Sequence, residues 1–156
     1  MTLYTEQQTG FLMIIPAGIM GLFITWLYAF QLGDRPISTG GYFLVLGILV
    51  FMVALLYRLQ TTVTDTHVWV RFGVGIIKRA IPVSSIQGVT VVTNAWYYGW
   101  GIRIIPRGWL YNINGTKGIE LQLKSGRVIR IGSGEPESLQ RAIDSVIKKD
   151  RPVSDH

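Results

Sequence analysis

Cysteine is absent, and histidine occurs only at His67 and His156. The first absence excludes disulfides, thiolate nucleophiles and Cys-ligated metals. The second leaves no set of imidazoles for a multi-His metal centre. Charge is also scarce: 15% of residues are Asp, Glu, Lys or Arg, against about a quarter in an ordinary soluble domain. Hydrophobic residues make up 49% and the mean hydropathy is +0.35, a balance that points toward a membrane. The deficit of charge is uneven. Among charged residues, 1–57 hold only Arg35, Glu6 and Asp34, a net −1, and the rest of the chain carries +7, for a total of +6.

Residues 11–32 form a run of 22 without a charge, roughly 33 Å as a helix and enough to cross a hydrocarbon core of ~30 Å. Pro16, Gly18 and Gly21 would weaken a soluble helix but are tolerated in a bilayer. A signal peptide is disfavoured, because residues 1–10 contain no basic residue and no clear cleavage pattern follows the run. Residues 33–40 (GDRPISTG) read as a turn, with Ser38 or Thr39 placed to cap a second helix. That helix spans about 39–57, with Arg58 able to snorkel from its end. Trp26, Tyr28, Tyr42 and Tyr57 suit the aromatic belt. So residues 1–58 are expected to be a transmembrane hairpin with both termini on one side. The Lys/Arg excess after it places that side in the cytoplasm. Ala17 and Gly21 make a small-residue pair suited to close contact inside the hairpin, more than to dimerisation. The spans carry no charge, which argues against a channel or transporter.

After Arg58 the hydrophobic period becomes two. HVWVRF (67–72) and IELQLK (119–124) alternate apolar and polar residues, as half-buried strands do. Ser125-Gly126 joins the latter to RVIRI (127–131) in a hairpin. Further candidates run from 62–64 through 76–81, 87–93 and 102–105 to 109–113, punctuated by Gly and Pro. The expectation is a sandwich or barrel of about seven antiparallel strands over residues 59–149. The period then changes once: Leu139, Ala142, Ile143, Val146 and Ile147 fall at helical spacing. Acids lie toward that helix's start and Lys148-Lys149 at its end, as the helix dipole prefers. Residues 150–156 read as a disordered tail.

Seven strands followed by one amphipathic helix is the order of a pleckstrin-homology-like (PH-like) domain. YGWGIR (98–103), RGWLYN (107–112), Asn114-Gly115, RIGSGEPE (130–137) and TVTDTHVWVRF (62–72) carry a resemblance. They resemble small bacterial membrane proteins that join a two-helix hairpin to a bacterial PH-like domain. The resemblance implies a multi-pass protein of the bacterial inner membrane. It implies no activity, cofactor or catalytic residue. Phosphoinositide-binding PH domains use a long basic loop between their first two strands; here Asp65-Thr66 is read as that connection, and it is short and not basic.

No catalytic set emerges. The acids are scattered over turns, an outward strand face and the helix, whereas paired carboxylates must converge in a cleft. His67 beside Asp65 is the one acid/base candidate, and its strand position suits simple exposure better. Gly99 and Gly101 do not complete a nucleotide-binding fingerprint. The unusual segment is 96–111 (WYYGWGIRIIPRGWLY), with three Trp, three Tyr, Arg103 and Arg107 in sixteen residues. Such residues anchor protein interfaces and lipid headgroup zones. Trp109 and Tyr111 are expected in the core, and Tyr97, Tyr98 and Trp100 on a loop. Tyr97, Tyr98, Trp100, Arg103, Arg107, Trp69 and Arg71 are the expected partner or lipid contacts. The function read from these residues is a non-enzymatic, membrane-anchored scaffold or assembly module that binds a protein partner or itself. Sensing of anionic lipid is the alternative, and a membrane enzyme a remote one. No cofactor, metal, nucleic acid or small-molecule substrate is implied.

Overall fold

The computed structural model describes residues 1–33 and 36–150. Asp34, Arg35 and residues 151–156, which include most of the expected tail, lie outside the described residues; Asp150 closes the last helix. The order is β1 (Thr2–Thr9), α1 (Phe11–Ala29), α2 (Thr39–Leu56), β2 (Arg58–Thr64), β3 (His67–Phe72), β4 (Ile77–Pro82), β5 (Ile86–Thr93), β6 (Gly101–Ile105), β7 (Gly108–Asn112), β8 (Lys117–Leu123), β9 (Val128–Gly132) and α3 (Pro136–Asp150).

The two helices are long and apolar enough to cross a membrane, and neither contributes a buried residue. A helix that is apolar all round and uncovered needs a non-aqueous neighbour. Helix α1 ends at Ala29 rather than at residue 32, because Gln31 turns left-handed (φ 50°) and its side chain donates to the Tyr28 carbonyl. The Ser38 hydroxyl caps α2 by accepting from the Gly41 N–H at 3.2 Å. At the loop end Tyr28 stacks on Tyr42 with centroids 4.4 Å apart, and Thr25 and Thr39 bond to these two tyrosines. Gly21 lies opposite Leu46 and Leu49 of α2, so the small-residue face works inside the hairpin.

The β architecture corrects the expectation of about seven antiparallel strands in two respects. Among the described residues there are nine strands, in sheets of order β1-β2-β3-β4 and β5-β8-β9-β7-β6, and β7 runs parallel to β9. The β8–β9 hairpin leaves one edge of β9 open, and the β6–β7 hairpin folds back onto it. The approach is close: a Cβ at Gly108 would strike the Val128 carbonyl. The other surprise is β1, which lies before the helices and pairs along its length with β2. Asp65-Thr66 therefore joins the second and third strands. The connection between the first two is the helical hairpin itself.

The inner faces of the two sheets meet over Val63, Val68, Val70, Phe72, Ile119, Leu121 and Ile131. Helix α3 adds Leu139, Ile143, Val146 and Ile147 from its apolar stripe, each worth about 1.5–3 kcal/mol when fully buried. It covers the β1, β2, β5 and β8 side of the sandwich. Glu6 ties the first strand to its start: the carboxylate accepts from the Ser133 hydroxyl at 2.6 Å and the Gly134 N–H at 2.7 Å. At the other end, the Met1 ammonium and Lys149 bond to Asp65 and hold its carboxyl below the usual range.

The helices and the sheet are joined without slack. Thr9 faces Arg58 in register, and the Gly10 N–H donates to the Tyr57 carbonyl at 2.8 Å. The β3–β4 turn braces α2: the Gly73 N–H donates to the Arg58 carbonyl at 2.7 Å and Val74 N–H to Ala54 at 3.2 Å. Gly73 has φ 51°, and a side chain there would collide with the Ala54 and Leu55 carbonyls.

Two outcomes follow from these contacts. Gly73→Ala is expected to destabilise by ~2–4 kcal/mol through left-handed backbone and steric conflict, read as a lower unfolding midpoint in detergent. Burial and the nearby Glu6 push the Tyr4 phenol up to about 12. Its folded value lies above its unfolded one, so its stability contribution is intact below pH ~10 and is lost between about 10 and 12. Phenolate absorbance of wild type against Tyr4→Phe should show one tyrosine missing from the late, not the early, part of the titration.

Candidate functional site

The residues singled out in the sequence fall into three separate places. The first is the turn Trp96–Tyr98, a single 3-10 turn ended by Gly99 at φ 67°. Trp96 is 81% exposed, and Tyr97 packs edge-on between Trp96 and Tyr98. Arg103 belongs to this group, since its Nε donates to the Trp100 carbonyl at 3.2 Å. Gly101 sits beside Met13 in the first turn of α1. The aromatic turn is therefore at the root of the helices. So is the β3–β4 turn, whose exposed Val74 and Ile76 flank the contact with α2.

The second place is the outer face of the four-stranded sheet. The Arg71 guanidinium lies over the Trp69 ring at 5.6 Å, and His67 is 5.8 Å from Trp69 on the other side. Their cross-strand neighbours are Gln60, Thr62, Lys78, Ala80 and Pro82. This is a polar, fully paired central strand with one partly buried aromatic, and its outer side chains lie on the sheet face opposite to that of Arg79.

The third place holds Arg107, at the turn between β6 and β7, with φ 71°. Residues 101 and 112 form the root end of this hairpin, so Arg107 lies at its opposite end, roughly 15–20 Å away at ~3.3 Å per residue. There it joins Arg79 and Arg127 around a groove of about 480 Å³ floored by Ile104, Trp109 and Ile129. The groove is the uncovered side of the sandwich, opposite α3. Trp109 and Ile104 share a face with the core residues Tyr111 and Ile131. Yet Trp109 is 42% and Ile104 77% exposed, because none of the described strands reaches over them. Tyr111 is buried as expected, and Trp109 is not the core residue it was expected to be.

Sequence reasoning missed Arg79, Arg127 and Ile104. Arg79 had a legible signal: it lies opposite Val70 on the inward face of β4, between Ile77 and Ile81, where alternation calls for an apolar residue. Burial raises the Tyr111 phenol and the Arg79 charge partly offsets that rise, which agrees with an inward-pointing guanidinium. Arg127 and Ile104 had none, since their partners are set by the parallel pairing.

The described acids nearest the sheets have structural partners. Glu6 holds Ser133 and Gly134, Asp65 holds Met1 and Lys149, and Glu120 pairs with Arg130 at 2.7 Å. Among the described residues no group of three or more acids or histidines gathers as a metal site. The chain matches no known family model and no curated protein.

Arg79→Leu removes the one charge that lowers the Tyr111 phenol. Its titration midpoint should move further upward, as read by the absorbance difference against Tyr111→Phe. An unmoved midpoint would mean that Arg79 does not face the gap.

Proposed function

We propose that this chain is a membrane-anchored, non-enzymatic interaction module, a scaffold or assembly factor whose β domain holds a protein partner at the membrane face. The single observation that carries the reading is the junction. Strands β1 and β2 run into two uncovered apolar helices through one residue each, Gly10 and Tyr57. A bilayer around α1 and α2 would thus hold the β domain in one orientation, with no flexible linker to average it.

Several features support the finer parts of this proposal. Setting aside the β6–β7 hairpin, β1–β4, β5, β8 and β9 are seven antiparallel strands followed by a helix, the order of a PH-like domain. In this reading the α1–α2 helical hairpin occupies the connection where phosphoinositide-binding PH domains carry their basic loop. Recognition of inositol phosphates by such a loop therefore has nothing to work with. The Lys/Arg excess after the second helix favours an inner-membrane protein with both termini and the β domain in the cytoplasm.

Anionic-lipid sensing has one observation in its favour, the exposed cluster at the helix roots. Its exposed side chains are Trp96, Tyr97, Trp100, Val74 and Ile76, with Arg103 the one charge turned back on the aromatic turn. Aromatic and aliphatic groups at that level seat a domain in the interfacial zone. We therefore assign this cluster to docking the domain on the bilayer, and partner binding to another surface.

Single-tryptophan variants in vesicles with brominated acyl chains test the arrangement. Trp26 is expected to be strongly quenched, Trp96 and Trp100 partly, and Trp69 and Trp109 little. An unquenched Trp26 would remove the membrane anchor. Equal quenching at Trp109 and Trp96 would remove the proposed orientation.

A further inference from the structure

We propose that the groove between β4 and the β6–β7 hairpin receives an extended segment of a partner protein in which acidic and apolar side chains alternate. The inference rests on the interaction-module reading and names the surface and the chemistry of the partner.

Three observations converge on it. Both strands that border the groove are sheet edges: β4 ends the four-stranded sheet and β6 ends the five-stranded one. Each offers unpaired backbone N–H and C=O groups along six and five residues respectively, the length of an added strand. The floor between them is apolar and uncovered, with Ile104 and Trp109 continuing the inner face of the sandwich. Around that floor stand Arg79, Arg107 and Arg127. None of the three guanidiniums has an ion pair or hydrogen bond among the described residues, and no acid lines the groove. Glu120, in the adjoining cleft, is taken by Arg130.

The alternation of the guest follows from strand geometry. Successive side chains of an added strand point to opposite faces, so one set would rest on Ile104 and Trp109 while the other reaches the arginines at the rim. Arg is suited to this, since its planar fork takes a carboxylate with two parallel bonds. The same three charges work against the other occupants. A second copy would bring its own Arg79, Arg107 and Arg127 to the same gap, a like-charge contact. In the proposed orientation the Arg107 end of the groove is remote from the bilayer headgroups, because Arg107 sits at the end of β6–β7 away from Gly101 and the root of α1.

The experiment uses the full chain in nanodiscs of neutral phosphatidylcholine and a displayed library of random octapeptides. Selected sequences should be enriched in Asp and Glu alternating with Val, Ile, Leu or aromatic residues. A synthetic peptide of the selected type should bind Arg79→Glu/Arg127→Glu at least about tenfold more weakly, with an unchanged melting temperature. Its Lys-for-Glu counterpart should regain binding to that variant. Arg79→Gln/Arg127→Gln, which keeps the polarity without reversing the charge, should fall between. Selection without acidic enrichment, undiminished binding to the reversed variant, or displacement of the peptide by glycerophosphoserine would overturn the proposal, the last by reassigning the groove to a lipid headgroup. Failure of the chain to enter nanodiscs would instead sink the anchored-module reading, so the two failures are distinguishable.

Discussion

The structure depends on the pairing of Thr9 with Arg58 and the hydrogen bond from Gly10 to Tyr57 just beyond it. There a two-stranded ribbon becomes a two-helix hairpin with no intervening loop. Antiparallel neighbours in a sheet lie about 5 Å apart, and packed helices 8–10 Å apart. One residue on each side takes up that difference, so neither helix can turn without pulling on the sheet. The brace from Gly73 and Val74 to the last turn of α2 closes the joint from a third direction. Whatever surrounds α1 and α2 thereby sets the attitude of the whole β domain.

The first strand is polar on its inner side. Tyr4, Glu6 and Gln8 point inward from β1, where a core strand would normally place aliphatic residues. Their polar tips are matched instead. Glu6 takes Ser133 and Gly134, Gln8 donates to the Gly132 carbonyl at 2.8 Å, and Tyr4 reaches toward Glu6. The bonds to the charged Glu6 carboxylate are worth about 1.5–3 kcal/mol each. They fasten the segment before the hairpin to the loop that launches α3, so strand and helix at opposite ends of the chain stabilise one another.

The two halves of the aromatic-rich segment have different physical settings. Residues 96–103 are held at the helix roots by Gly101 against Met13, whereas Arg107 and Trp109 lie along a hairpin that leads away from them. The second half forms a groove because the sandwich is closed on one side only. Helix α3 covers β1, β2, β5 and β8, and β4 and β6 are not paired with one another among the described residues. An apolar floor there, ringed by unpaired guanidiniums, is the surface on which the proposed partner acts.

What the amino-acid order decided by itself was local. Uninterrupted apolar runs of helical length, period-two alternation in β3 and β8, and the 3.6-residue stripe of α3 are each readable because neighbours in sequence are neighbours in the element. Ser38, one of the two expected caps, and the loop placement of Tyr97, Tyr98 and Trp100 belong to the same class. Strand β1 was not legible, since its inward side chains are polar and satisfied by residues more than a hundred positions away. The parallel pairing of β7 with β9 was not legible either, because it depends on which strand edge the β8–β9 hairpin leaves open. The groove is the clearest case: Arg79, Arg107 and Arg127 lie on different strands and turns, and only the folding of two sheets over one another, closed by a single helix, brings their charges to one gap.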